Sequence, residues 1–298
     1  MVDKTAQQRN DLASSPEEEN GRQPIYAAPA LEKGLDILEL LARQAEGLTR
    51  REIAERLGRS VSEIFRMIEA LTRRSYLVQN GDTFVLGMKL FELAHELPPM
   101  NRLLKEALPR MEQLAKAVDQ SCHLTVLSGP RQLVVAQVDT PEGVGFSVKI
   151  GAMPDLLKSA SGRVLLAFRD QEETCHLISL ADPKLKLAER NAFMKTLMKV
   201  AGQGFAFMKS NQFSGVEAIS YPILNLRAHA IAALTVPYVT RLGDVARKPP
   251  SEAQAALAQA AAELNTAVGG TAINITDDMQ PTRSSAKGRP KRQTRNRY

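Results

Sequence analysis

The sequence predicts an α+β protein with a mainly helical N-terminal part and a mixed C-terminal part. Three observations carry this. Apolar residues recur at helical spacing through residues 31–71. Strand-like and helical runs then alternate from residue 121 to residue 268. A length of 298 residues also exceeds one ordinary domain. With 44% hydrophobic residues the chain can bury a core, which excludes disorder throughout. No apolar run reaches the roughly 18 residues of a membrane span, and the N-terminus lacks the apolar centre of a signal peptide, so a cytoplasmic location is expected. Two cysteines, Cys122 and Cys175, cannot build a disulfide framework or a Cys-only zinc site.

Residues 1–24 are polar and read as a disordered arm. Leu31, Leu35, Leu38 and Leu41 predict a first helix beginning near Pro29 and stopped by Gly47. Thr49 with Glu52 has the form of a capping box and opens a second helix that ends at Gly58. Ser60 with Glu63 repeats the signal and opens a third, to about Arg74. Leu77-Val78 and Thr83–Leu86 flank Asn80-Gly81, a hairpin-turn dipeptide. Three helices and a hairpin over 25–86 make the winged form of the helix-turn-helix. Residues 87–104 read as a linker helix broken at Pro98-Pro99, and 105–275 as the α+β domain. In that domain Cys122–Leu127, Gln132–Val138, Gly145–Ile150, Phe205–Phe207, Val216–Tyr221 and Ala230–Val236 are expected strands. Ala160–Phe168, Glu172–Leu180, Leu185–Ala201 and Ser251–Val268 are expected helices.

The third helix carries the sharpest functional signal. Val61, Ile64, Phe65, Ile68 and Leu71 share one face and are expected to pack inward. Ser62, Glu63, Arg66 and Arg73 lie opposite, with Arg59 just ahead. Arg66 suits a guanine and Glu63 a cytosine amine in the major groove. Thr49, Arg50, Ser60 and Ser62 suit phosphate contacts. The alternative is a merely solvated polar face; the order of turn, caps and wing favours double-stranded DNA.

Leu31–Leu41 (LEKGLDILELL), Thr49–Ala54 (TRREIA), Ser62–Ile68 (SEIFRMI) and Arg73–Leu77 (RRSYL) resemble the IclR family of bacterial transcriptional regulators. The likeness continues in Ser159–Ala167 (SASGRVLLA) and Gly215–Ile223 (GVEAISYPI) and covers roughly residues 28–270. The resemblance implies a C-terminal effector-binding domain related in fold to GAF and PAS modules. It also implies a homodimer or homotetramer and a small organic or aromatic acid as effector. Ser159, Ala160, Ser161 and Gly162 would cradle its carboxylate, since the start of a helix leaves backbone N–H groups free. Close packing of small residues is the other reading of that segment. His123, Asn211, Gln212, Ser220 and Thr235 are further expected lining residues. The sequence departs from the family's common pattern at Asp155, Leu157 and Arg163, and at Met208–Asn211, where acidic residues are usual. A metal-dependent effector is therefore not expected. Cys122-His123 and Cys175-His176 are not expected to share an ion, because neighbouring side chains diverge on strand and helix alike. His95 and His229 belong to no recognisable constellation.

The net charge of +6 is not spread over the chain: residues 280–298 hold seven basic and no acidic side chains. Residues 276–298 are an expected disordered basic tail, in which Ala286–Gln293 (AKGRPKRQ) resembles an AT-hook. Arg289 would enter the minor groove of A·T-rich DNA while Lys287, Lys291 and Arg292 meet phosphates. A solvated tail of non-specific affinity is the alternative. Two other functions stay open: an architectural protein acting through this tail, and an enzyme on an effector-domain-like fold. No nucleophile elbow, P-loop or dinucleotide fingerprint is present in the sequence.

Overall fold

Helix α1, Pro29–Leu41, buries Ile37 and Leu41 and leaves Leu31 and Leu35 exposed, so its core face begins later than the leucine spacing predicted. It also ends before Gly47. A Cβ on Gly47 would lie 2.9 Å from Oγ1 of Thr83, so this glycine makes room for a strand and does not stop the helix. The structure is a computed structural model that describes residues 28–141, 145–210, 214–240 and 249–270. The arm 1–24, the tail 276–298 and the pocket candidates Asn211 and Gln212 lie outside the described residues. The chain divides into two units, Met1–Glu96 and Leu97–Tyr298.

In the first unit, Thr49 caps α2 (Arg50–Arg56) and Ser60 caps α3 (Val61–Arg73), each with a complete capping box. Between them Gly58 takes φ +62°, the left-handed turn that redirects the chain. Ile37, Ile53, Ile64 and Ile68, all fully buried, form the core with Leu77 and Phe84. Val61 and Phe65 were expected in that core and are instead exposed, the Phe65 ring meeting the Arg50 guanidinium at 5.0 Å. The wing is β2 (Leu77–Asn80) paired with β3 (Thr83–Leu86), and Asn80 faces Thr83. The two-residue turn is therefore Gly81-Asp82, one position later than predicted, with Gly81 at φ +65°. A short β1, Leu48–Thr49, adds to the other edge of β3. Helix α4, Lys89–His95, ends this unit.

The second unit opens with α5 (Pro98–Val118), whose first two residues are prolines at positions where the missing N–H has no helical partner to lose. Pro109 lies inside it without ending it. Then come β4 (Cys122–Ser128), β5 (Arg131–Val138), α6 (Ala160–Ala167), α7 (Gln171–Ala181), α8 (Leu187–Gln203), β6 (Ala206–Lys209), β7 (Val216–Leu224), β8 (Ala230–Val239) and α9 (Pro250–Val268). The strands form one antiparallel sheet in the order β5-β4-β8-β7-β6. Gly145–Ile150 is not a strand. This segment instead reaches edge strand β5 through Gly151, whose φ is +84°, and Ala152, both bonded to Val134. Pro222 and Pro237 sit inside β7 and β8, at positions where β6 and β4 respectively have stopped pairing, so neither missing N–H breaks a ladder.

One face of the sheet presents Cys122, Leu124, Val126, Ile219, Tyr221, Ile223, Leu234 and Val236 to α5 and α9. The other face meets α6, and its residues are smaller: Ala206, Ala218, Ser220, Ala233 and Thr235. Replacing Ser60 by alanine removes the side-chain half of the α3 cap and is expected to cost about 1 kcal/mol. Urea unfolding followed by circular dichroism measures it.

Candidate functional site

The residues predicted for DNA contact fall into two groups. Thr49 and Ser60 cap their helices, and the Glu63 carboxylate accepts from the Ser60 backbone N–H at 2.9 Å. That bond, the Ser60 hydroxyl and Lys33 (3.2 Å) hold the Glu63 carboxyl down to about 2. Arg59 pairs with Asp36 at 3.2 Å, and Arg50 pairs with Glu69 at 2.7 Å while stacked on Phe65 and Phe84. Ser62 shares a 3.1 Å hydroxyl contact with Ser60. Arg66 and Arg73 are exposed and make no ion pair among the described residues. The fold thus occupies Glu63, Arg50 and Arg59 and leaves Arg66 and Arg73 free on the outer face of α3.

The second unit builds a pocket between the small-residue face of the sheet and the start of α6. It holds about 580 Å³ and is lined by His123, Ser159, Ala160, Ser161 and Thr235, by apolar Phe146, Val148, Met153, Met208, Val216 and Pro237, and by the charged Lys149, Asp155 and Lys158. Cross-strand register brings three predicted residues into one row: His123 faces Thr235 and Thr235 faces Ser220. All three are buried, and the Ser220 and Thr235 hydroxyls lie 2.8 Å apart. Ser220 supports the row from behind and does not itself line the pocket. His123 Nδ1 is sealed from water without a hydrogen-bond partner. Burial lowers the imidazole from its ordinary 6.5 to about 4, so it is neutral near pH 7.

At the start of α6 the serine side chains are already engaged. Gln132, fully buried on β5, donates to Ser159 Oγ at 2.6 Å and accepts from Ser161 Oγ at 2.8 Å. Ser159 Oγ in turn accepts from the Gly162 N–H at 3.1 Å. Gly162 sits where a Cβ would collide with the Leu156 carbonyl, so this glycine serves close packing and its N–H is taken. The backbone N–H groups of Ala160 and Ser161 are left without a partner among the described residues. They are the first-turn donors that a helix offers to an anion. Gln132 went unnoticed in the sequence, since nothing local distinguishes it from any other strand glutamine.

Cys122 and His123 point to opposite faces of β4. The thiol donates to the Met111 carbonyl at 3.4 Å in the core, where burial pushes it up to about 12. His229 does have neighbours, contrary to expectation: its Nε2 lies 3.4 Å from Asp170, and Glu173 is close to both. Arg169 pairs with that Glu173, which sets a cation against the group.

A winged helix-turn-helix followed by an α+β domain with a polar-ended pocket defines a ligand-responsive DNA-binding regulator. Residues 99–266 match the family described as bacterial transcriptional regulator IclR C-terminal, and residues 30–81 match the IclR helix-turn-helix domain. The chain belongs to the IclR family. Among curated relatives, the HTH-type transcriptional regulator XynR of Escherichia coli is 27% identical over 246 residues, covering 80% of this chain and 97% of that protein. KdgR of Escherichia coli is 26% identical, covering 74% and 85%. An IclR homologue from Microbacterium hydrocarbonoxydans, solved with 4-hydroxybenzoate, superposes with a TM-score of 0.65 at 22% identity, covering 80% of this chain and 98% of that one. Pseudomonas aeruginosa HmgR gives a TM-score of 0.62 at 24% identity, covering 81% and 99%. The family and these curated relatives are transcriptional regulators, which sets the enzyme alternative aside. No helix among the described residues is long and apolar enough to cross a membrane.

The folded pKa of His123 lies below its unfolded value, so the stability that depends on neutral His123 is complete above about pH 6.5 and is lost as pH falls towards about 4. The loss is on the order of 3 kcal/mol. His123→Gln is expected to lose correspondingly less over that interval, as read from urea unfolding at stepped pH.

Proposed function

We propose that the chain is a cytoplasmic regulator that binds a pseudo-palindromic operator as a homodimer or homotetramer and responds to an aromatic or other small organic acid. Helix α3 enters the major groove, where Arg66 reads a base edge and Arg73 meets the backbone. Ser62 and the helix starts at Thr49 and Ser60 approach phosphates, while Arg50 and Arg59 act as braces of the reading helix. The tail adds a minor-groove contact on A·T-rich DNA through Arg289, flanked by Lys287, Lys291 and Arg292.

One observation carries the effector reading: Ala160 and Ser161, with unpartnered backbone N–H groups, and the buried His123 line one pocket whose wall is mostly apolar and also carries Lys149, Asp155 and Lys158. Buried polar groups without partners are costly, and an acid whose carboxylate accepts from Ala160 and Ser161 removes that cost at one end. Its body lies against Met153, Met208, Val148 and Val216, and its far end reaches His123 and Thr235. Occupancy draws α6 against the sheet and shifts the balance between arrangements of the paired DNA-binding units.

Footprinting on the protein's own upstream DNA tests the first part. Arg66→Ala is expected to weaken specific binding by roughly tenfold to a hundredfold while non-specific binding changes little. An equal loss on every sequence assigns Arg66 to phosphates instead. For the second part, titration with 4-hydroxybenzoate as probe is expected to show Thr235→Val binding about tenfold more weakly. Unchanged affinity removes Thr235 from the contact set.

A further inference from the structure

A second cleft in the C-terminal unit has the chemistry of a ligand site and shares no lining residue with the pocket beside His123. It holds about 540 Å³ between α6, α8, β6 and the start of α9. Thr196, Lys199, Val200 and Gln203 supply one wall, recurring on a single face of α8. Phe205, stacked on Tyr221 with ring centroids 5.2 Å apart, supplies a flat apolar wall.

Arg163 is the only charged residue of α6 and also lines this cleft. A guanidinium keeps its charge under physiological conditions, so one drawn out of water needs an anion to balance it. Arg163 is half-buried, and its Nε is sealed from water without any hydrogen-bond partner. Its side chain makes no ion pair or hydrogen bond among the described residues, and burial lowers its pKa. Lys199 brings a second positive charge to the same cleft, and no acidic side chain lines it among the described residues. The first turn of α9 contributes Pro250 and Ser251 to the wall, and its Glu252 does not line the cleft.

We infer that this cleft is a second binding site, for a planar aromatic carboxylate. The carboxylate takes the Arg163 guanidinium with Lys199 beside it, and the ring lies along Phe205. The site communicates with the first through two shared elements. Residues Ala160 and Ser161 of α6 line the effector pocket while Arg163 lines the cleft; Met208 of β6 lines the pocket while Ala206 and Phe207 line the cleft. Occupancy of the cleft therefore acts on the helix start that offers the free N–H groups.

The test uses full-length protein and 4-iodobenzoate. Crystals soaked in it are expected to show anomalous iodine density beside Phe205. Calorimetric titration is expected to show a saturable phase that Arg163→Gln and Lys199→Met each weaken at least tenfold, with unchanged circular dichroism. Thr235→Val is expected to leave that phase intact. If the pocket beside His123 takes no acid, the phase sensitive to Arg163 is still present, alone. Iodine found only in the pocket beside His123, binding at crystal concentration only, or a phase indifferent to Arg163→Gln overturns the site. Saturable binding of inorganic phosphate there without 4-iodobenzoate overturns the ligand class.

Discussion

The C-terminal unit depends on an unequal division of its sheet. Strand alternation sends every second residue of β4, β7 and β8 to one face or the other. On the α5–α9 side these are Leu124, Ile219, Ile223, Leu234 and Val236, large enough to close a dry core. On the other side the same strands offer His123, Ala218, Ser220, Ala233 and Thr235. Small side chains cannot fill the layer to the density of a protein interior, so what remains beneath α6 is a cavity with a polar row on its floor. A one-residue slip of β8 would send Leu234 into the pocket and Thr235 into the core. Site and core are therefore fixed by one register.

Helix α6 completes the arrangement, and its position is set by two close contacts. Gly162 lets the helix approach the Leu156 carbonyl, and Gln132 ties Ser159 and Ser161 to edge strand β5. Gln132 is fully buried, so each of its amide bonds avoids the cost of a polar group stranded away from water. The consequence for chemistry is indirect. Because the serine hydroxyls are spent on holding the helix, the donors left at the start of α6 for the proposed effector are the backbone N–H groups of Ala160 and Ser161, whose direction is set by the helix itself.

What could be read from the sequence follows the range of the interaction. The caps at Thr49 and Ser60, the glycine at 58 and the hairpin after Leu77 depend on residues within four positions of each other, and all are present in the structure. Gly47 looked like a helix stop but is set by Thr83, on a strand beyond two helices. Phe65 fits the apolar stripe of α3, yet Arg50 offers its ring a cation at the surface. Glycines bracket Gly145–Ile150, and the segment runs as irregular chain along the pocket, where alternating residues alone suggested a strand. For the candidate site, His123, Ser159, Ala160, Ser161 and Thr235 were named from position, and all five line one pocket. Gln132 was not, because its partners lie 27 and 29 residues further along the chain.

The same reasoning separates structural from reading residues in the N-terminal unit. A charged side chain on a DNA-facing helix can serve the fold or the ligand, and its partners decide which. Glu63 is bound by the cap it completes and by Lys33, and its carboxyl is held far below the usual range. Turning it towards a base would break two hydrogen bonds to Ser60 and an ion pair at once. Arg50 would likewise have to leave Glu69 and two aromatic rings. Arg66 and Arg73 have no such partners to give up, so a base edge or a phosphate competes only with water for them. In the proposed reading, specificity in this unit rests on the residues the fold left unpaired. The paired ones tie α3 to α1 and α2, which would present those free arginines to the groove in a fixed position.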